Sequence, residues 1–169
     1  MLKSNLVLIG MPGAGKSTLG VLLAKTLGKN FVDTDLLIQE SERRLLREII
    51  TADGVAGFLR IEERVLLGVT ASNAVIATGG SAVYSGPAMR RLREDGLIIY
   101  LKLPYEEVER RITNMADRGI AFGEGQRLLD LFLERTILYE QYAELTVDCS
   151  GKTPEESLRA IVGALPGRD

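Results

Sequence analysis

The segment Gly10-Met11-Pro12-Gly13-Ala14-Gly15-Lys16-Ser17, followed by Thr18, fulfils the pattern Gly-x-x-x-x-Gly-Lys-Ser/Thr at every fixed position. Glycines at this spacing let successive backbone N–H groups turn inward around phosphate oxygens, and the start of a following helix adds the positive end of its dipole. Gly13, Ala14, Gly15, Lys16, Ser17 and Thr18 are therefore expected to bind the phosphates of a nucleotide. Lys16 would reach the β- and γ-phosphates and the Ser17 hydroxyl would ligate Mg²⁺. A second feature is the pair of carboxylates in Val32-Asp33-Thr34-Asp35. On an extended segment, residues two apart face the same side, so one carboxylate can serve a metal and the other a substrate; alternatively, Asp35 caps the following helix. Third, the adjacent glycines of Thr78-Gly79-Gly80-Ser81 admit close approach of a ligand to the backbone. Among the arginines, Arg60, Arg110, Arg111 and Arg135 fall on expected helices, whereas Arg118 falls among Gly119, Gly123 and Gly125, where closure of a flap would carry a guanidinium onto a transferring phosphoryl group.

These residues need elements to position them, and the chain alternates between two kinds of segment. Strand-like apolar runs are Asn5-Leu6-Val7-Leu8-Ile9, Asn30-Phe31-Val32-Asp33, Ala74-Val75-Ile76-Ala77-Thr78, Leu97-Ile98-Ile99-Tyr100-Leu101 and Leu145-Thr146-Val147-Asp148. Most are continuously apolar, as strands covered on both faces by helices are. Helical patterns are expected at about 15–27, 36–52, 55–71, 87–94, 104–114, 126–142 and 153–164. Gly28 ends the first, Pro87 opens the fourth, and Thr153-Pro154-Glu155-Glu156 reads as an N-cap with proline in the first turn. The alternation predicts an α/β domain with one doubly wound sheet, and the glycine-rich stretch at about 114–126 reads as a mobile lid.

Composition narrows the chemistry. The chain has 169 residues, no His, no Trp and one Cys. That length suits a single domain, 1–169, and the missing histidine excludes imidazole acid–base catalysis and histidine metal ligands. Lone Cys149 builds neither a thiolate zinc site nor an internal disulfide. Catalysis is left to carboxylates, Lys, Arg, hydroxyls, backbone amides and a borrowed metal ion. A net charge of −2 argues against bulk affinity for nucleic acid or anionic membrane. The apolar stretch Leu6–Ile9 runs into Gly10 and Pro12 too soon for a signal peptide or a membrane span, so the expected address is the cytoplasm and the expected partner a small molecule.

Taken together, the sequence resembles the shikimate kinase family of nucleoside-monophosphate-kinase-like P-loop proteins over nearly its whole length. The matching pieces are GMPGAGKST, FVDTD, DGVAGFLRIEE at 53–63, TGGSAV at 78–83, Arg118 and LFLERTILYEQYA at 131–143. The resemblance implies a five-stranded parallel sheet in the order 2-3-1-4-5, an ATP site on the P-loop and a lid that closes over it; the chain is expected to act as a monomer. It implies that Asp33 lies near Mg²⁺, that Asp35 binds the acceptor hydroxyls, and that Gly79 and Gly80 line the acceptor. Arg118 would contact phosphates, Arg135 would hold the acceptor carboxylate, and Arg111 and Pro154 would shape the adenine pocket. The expected reaction is phosphorylation of shikimate to shikimate 3-phosphate. Another small hydroxylated metabolite, or a non-catalytic nucleotide-binding role, is the alternative.

The departures fall in the acceptor half. The family's F-R-x-x-E is here Phe58-Leu59-Arg60-Ile61-Glu62, so Leu59 stands where an arginine shares the acceptor carboxylate. Arg60 is rotated about 100° around a helix from that position and is not expected to substitute for it. Glu62 keeps its place without its expected partner, Ser81 replaces a third glycine, and Gly119 replaces a proline after Arg118.

Overall fold

The computed structural model describes residues 3–113 and 125–167. Its strands are β1 (Asn5–Ile9), β2 (Asn30–Asp33), β3 (Ala74–Ala77), β4 (Gly96–Lys102) and β5 (Leu145–Asp148). Its helices are α1 (Lys16–Leu27), α2 (Thr34–Glu42), α3 (Leu46–Leu67), α4 (Gly86–Asp95), α5 (Tyr105–Thr113), α6 (Leu128–Tyr142) and α7 (Pro154–Ala164), with a 3-10 turn over Ala82–Tyr84. All strand pairings are parallel, in the order β2-β3-β1-β4-β5, with Val7 registered between Ile76 and Ile98.

Burial follows position in the sheet. Every residue of β1 and β3 is buried, whereas β2 and β5 each border one strand and are partly exposed. The main core joins β1, β3 and β4 to Leu19, Leu23, Met89, Val108, Leu131 and Ile161 from the flanking helices. A β-carbon on Gly20 would come within 2.6 Å of the Phe31 ring, so this glycine sets how closely α1 packs on β2.

Two expected boundaries need correction. The helical patterns at about 36–52 and 55–71 divide elsewhere: the break falls at residues 43–45, and Gly54 is only a kink within α3, at φ 70° and ψ 176°. Arg43, at φ 52°, ends α2 in the left-handed region usually taken by glycine, so no glycine or proline marks the turn. Gln39 then accepts the Leu46 N–H, and Ile38, Ile49 and Phe58 close a second small core. The segment after β2 is also helical from Thr34 onward. Asp33 is its N-cap, accepting the Asp35 N–H at 3.0 Å, so Asp35 lies in a first helical turn rather than on an extended strand, and it is not the cap.

Candidate active site

The loop after β1 is shaped by backbone geometry. Gly13 and Gly15 occupy the left-handed region at φ 81° and 89°, and Gly15 caps α1 with no side chain satisfying the first amides of that helix. Those amides and the helix dipole face outward, an arrangement suited to phosphate. Lys16 is 7 % exposed and its Nζ donates to the carbonyls of Gly10 and Met11 at 2.7 and 2.8 Å. Burial pulls its pKa down to about 8, against the opposing pull of Asp35. Ser17 Oγ donates to Asp33 Oδ2 at 2.7 Å. A hydroxyl from the phosphate-binding loop beside a carboxylate from the end of β2 is a donor set suited to Mg²⁺, which binds few protein oxygens and keeps several waters. Thr18, next along α1, is exposed.

Across the ends of β2 and β3 lies a second cluster. Asp35 and Glu62 converge on Gly79, where a β-carbon would meet Asp35 Oδ1 at 2.8 Å and Glu62 Oε2 at 2.9 Å. Burial, and next the charge of Asp33, raise the Asp35 pKa to about 6. Burial raises that of Glu62 to about 7, partly offset by a hydrogen bond from Ser81. That bond, Ser81 Oγ to Glu62 Oε1 at 2.7 Å, supplies the partner that the sequence leaves unassigned. Serine is accommodated without strain because φ here is −92° and ψ −4°. Glu62 Oε2 is buried without a hydrogen bond to any of the described residues.

Arg135 on α6 is 1 % exposed and reaches Gly80, where its Nη1 would be 2.9 Å from a β-carbon and the Pro12 ring 2.7 Å. Tyr139, one turn further along the same helix, donates to the Gly80 carbonyl at 2.6 Å. Burial pushes the Tyr139 hydroxyl well above its ordinary pKa, keeping it a neutral donor. Leu59 turns toward the small core of Ile38, Ile49 and Phe58, and with Glu62, Ser81 and Tyr84 also borders a cavity of about 170 Å³. Arg60 is exposed, as its rotation around the helix requires, and borders the same cavity from its rim.

On the far side of the P-loop, Arg111 donates to the Gly13 carbonyl at 3.0 Å and to Glu107 at 2.6 Å, and Glu107 accepts the Gly151 N–H at 3.1 Å. Pro154 opens α7 directly after the N-cap Thr153, whose capping box is closed by Glu156. The fold thus gathers the P-loop, Asp33, Asp35, Gly79, Gly80 and Arg135 at the carboxyl edge of one sheet and ties Arg111 to the loop. Arg118 and most of the expected lid lie outside the described residues.

The family model "Shikimate kinase" matches residues 12–166. The chain belongs to the shikimate kinase family. A shikimate kinase from Mycobacterium avium is 38 % identical over 166 residues, covering 96 % of this chain and 94 % of that protein. A solved structure of shikimate kinase from Acinetobacter baumannii in complex with shikimate superposes with a TM-score of 0.85 at 31 % identity, covering 94 % of this chain and 90 % of that one. The Aquifex aeolicus enzyme gives a TM-score of 0.80 at 29 % identity, covering 96 % of each chain. Within a shikimate kinase framework, Tyr84 and Tyr139 join the site although neither is among the residues expected from the sequence. Tyr139 had a readable signal, four residues beyond Arg135 and so on the same helix face. Tyr84 had none, because its contact with α6 is purely tertiary.

Proposed function

We propose that the protein transfers the γ-phosphoryl group of ATP to a hydroxyl of shikimate, giving shikimate 3-phosphate. It does so as a cytoplasmic monomer and with Mg²⁺. The observation that carries this reading is the placement of a half-buried carboxylate, Asp35, and a buried guanidinium, Arg135, at the two successive glycines Gly79 and Gly80, beside the P-loop. A hydroxy acid laid over those glycines presents a hydroxyl to Asp35 and its carboxylate to Arg135.

ATP with Mg²⁺ supplies the phosphoryl group and neutralises its charge. The amides of Gly13, Gly15 and Lys16 and the Lys16 ammonium bind the β- and γ-phosphates. Ser17 and Asp33 would hold the metal, Arg111 steadies the loop through Gly13, and Pro154 would shape the adenine pocket. Asp35, with its pKa near 6, is ionised at neutral pH and orients the acceptor hydroxyl, accepting its proton as the oxygen attacks. Arg118, matched through the family resemblance, would add charge stabilisation at the transferring phosphoryl group.

The test is ADP release at fixed ATP with shikimate, compared with a cyclic polyol of similar size lacking the carboxylate. Release that depends on shikimate and is at least tenfold weaker with the polyol supports the reading, because the polyol forgoes a charge-assisted hydrogen bond to a buried guanidinium. Equal rates with both, or turnover of the polyol alone, would favour a kinase for another hydroxylated metabolite, a reading that Leu59 motivates.

A further inference from the structure

The guanidinium at Arg135 is gripped on the edge away from Gly80. Its Nε donates to the Tyr84 hydroxyl at 3.3 Å, and its central carbon lies 5.3 Å from the centroid of the Tyr84 ring. Nη1, in contrast, is turned toward Gly80. A guanidinium is planar and rigid, so fixing the Nε edge fixes the direction in which the Nη groups point. Position 59, where the family places a second arginine, holds a leucine engaged in an apolar cluster. Tyr84 and Leu59 border the same cavity of about 170 Å³, so the side chain that orients Arg135 stands beside the space a second arginine would use.

We propose that Tyr84 is a positioning residue for the acceptor: its hydroxyl, accepting from Arg135 Nε, and its ring, lying against the guanidinium, set the plane of the Arg135 guanidinium and take over the orienting role of the arginine replaced by Leu59. The proposal rests on the reading of Arg135 as the group that holds the acceptor carboxylate. A single guanidinium can bind a carboxylate while leaving it free to swivel, and a fixed guanidinium plane restricts that swivel. Shikimate hydroxyls would then spend more time in reach of Asp35. The ring keeps its packing when the hydroxyl alone is removed, which separates orientation from stability.

The experiment compares KM for shikimate and for ATP, with melting temperatures, in the wild-type protein, Tyr84→Phe, Arg135→Lys, Leu59→Arg and the double variant Leu59→Arg/Tyr84→Phe. Tyr84→Phe is expected to raise the shikimate KM about tenfold, the worth of one hydrogen bond to a charged group, with the ATP KM and melting temperature unchanged. In the Leu59→Arg background the same substitution is expected to cost less than about threefold, because the second guanidinium restores the orientation. Equal losses in both backgrounds, or a rise in both substrates' KM together with a lower melting temperature, would make Tyr84 a packing residue and overturn the proposal. If Arg135→Lys raises the shikimate KM while Tyr84→Phe does not, the proposal alone fails. An unchanged shikimate KM in Arg135→Lys would remove the reading on which it rests.

Discussion

Asp35 and Glu62 illustrate how much a few ångströms of burial change a carboxylate. Both ionise reluctantly, at about 6 and about 7, because burial withholds water from the charged form. Since Asp35 must be ionised to accept a proton, kcat/KM for shikimate should rise between about pH 5 and 7 with a midpoint near 6. Asp35→Asn should remove that limb and lower kcat by about 10²- to 10⁴-fold with ATP affinity nearly normal. A collapse of nucleotide binding in titrations of that variant would instead place Asp35 at the metal. Stability runs in the opposite direction with pH. A folded-state pKa raised above the unfolded value means the native protein holds its proton more tightly, so the stability from neutral Glu62 is complete below about pH 4 and is lost as pH rises through about 7. Glu62→Gln keeps an oxygen for Ser81 and cannot ionise. It should therefore stabilise the protein at about pH 8 by on the order of 2 kcal/mol, with most of that gain gone at about pH 5, as thermal melts at the two pH values would report.

Between elements, the close approach of the loop after β3 to α6 and the P-loop makes a sharp prediction. A methyl group on Gly80 would press on both the Pro12 ring and Arg135, so Gly80→Ala should raise the shikimate KM and cost about 1–3 kcal/mol of stability. A β-carbon on Gly163 in α7 would meet nothing within 4 Å, and Gly163→Ala should instead stabilise by about 0.5–1 kcal/mol and leave kinetics unchanged. Thermal unfolding and steady-state rates on the two variants check both. Which elements can be read from the chain follows the same physics. β1, β2 and β5 match their expected limits because an apolar run ends at a glycine, a carboxylate or a loop. The α2–α3 boundary is hidden because it uses Arg43 at positive φ, while Gly54, which reads as a break, only bends α3. The Leu59 departure is visible in the chain, but its accommodation is not. Ser81 supplying Glu62, Leu59 joining Ile38 and Phe58, and Tyr84 holding Arg135 are contacts between segments with no common periodicity.

For the molecule as a whole, sheet order decides where chemistry occurs. With order β2-β3-β1-β4-β5, the loops after β1, β2 and β3 open on one edge, and the reversal in strand order beside β1 leaves a crevice between them. The P-loop, Asp33 with Asp35, and Gly79 with Gly80 follow those three strands, which is why residues far apart in sequence meet without long connections. The nucleotide half is legible as one contiguous motif; of the acceptor half, Asp35 and the two glycines are legible from their spacing, whereas Leu59 on α3 and Arg135 on α6 are legible only through a family resemblance. Among the described residues no helix is long and apolar enough to cross a membrane. Everything proposed for this edge requires that it pass a phosphoryl group from ATP to shikimate and not to water. Phosphorus NMR of the protein with ATP, Mg²⁺ and shikimate distinguishes the two fates. One new phosphate monoester resonance is expected for each ADP formed, coupled to a ring proton of shikimate and absent when shikimate is omitted. ADP accompanied only by inorganic phosphate, or no ADP at all, would refute the transfer.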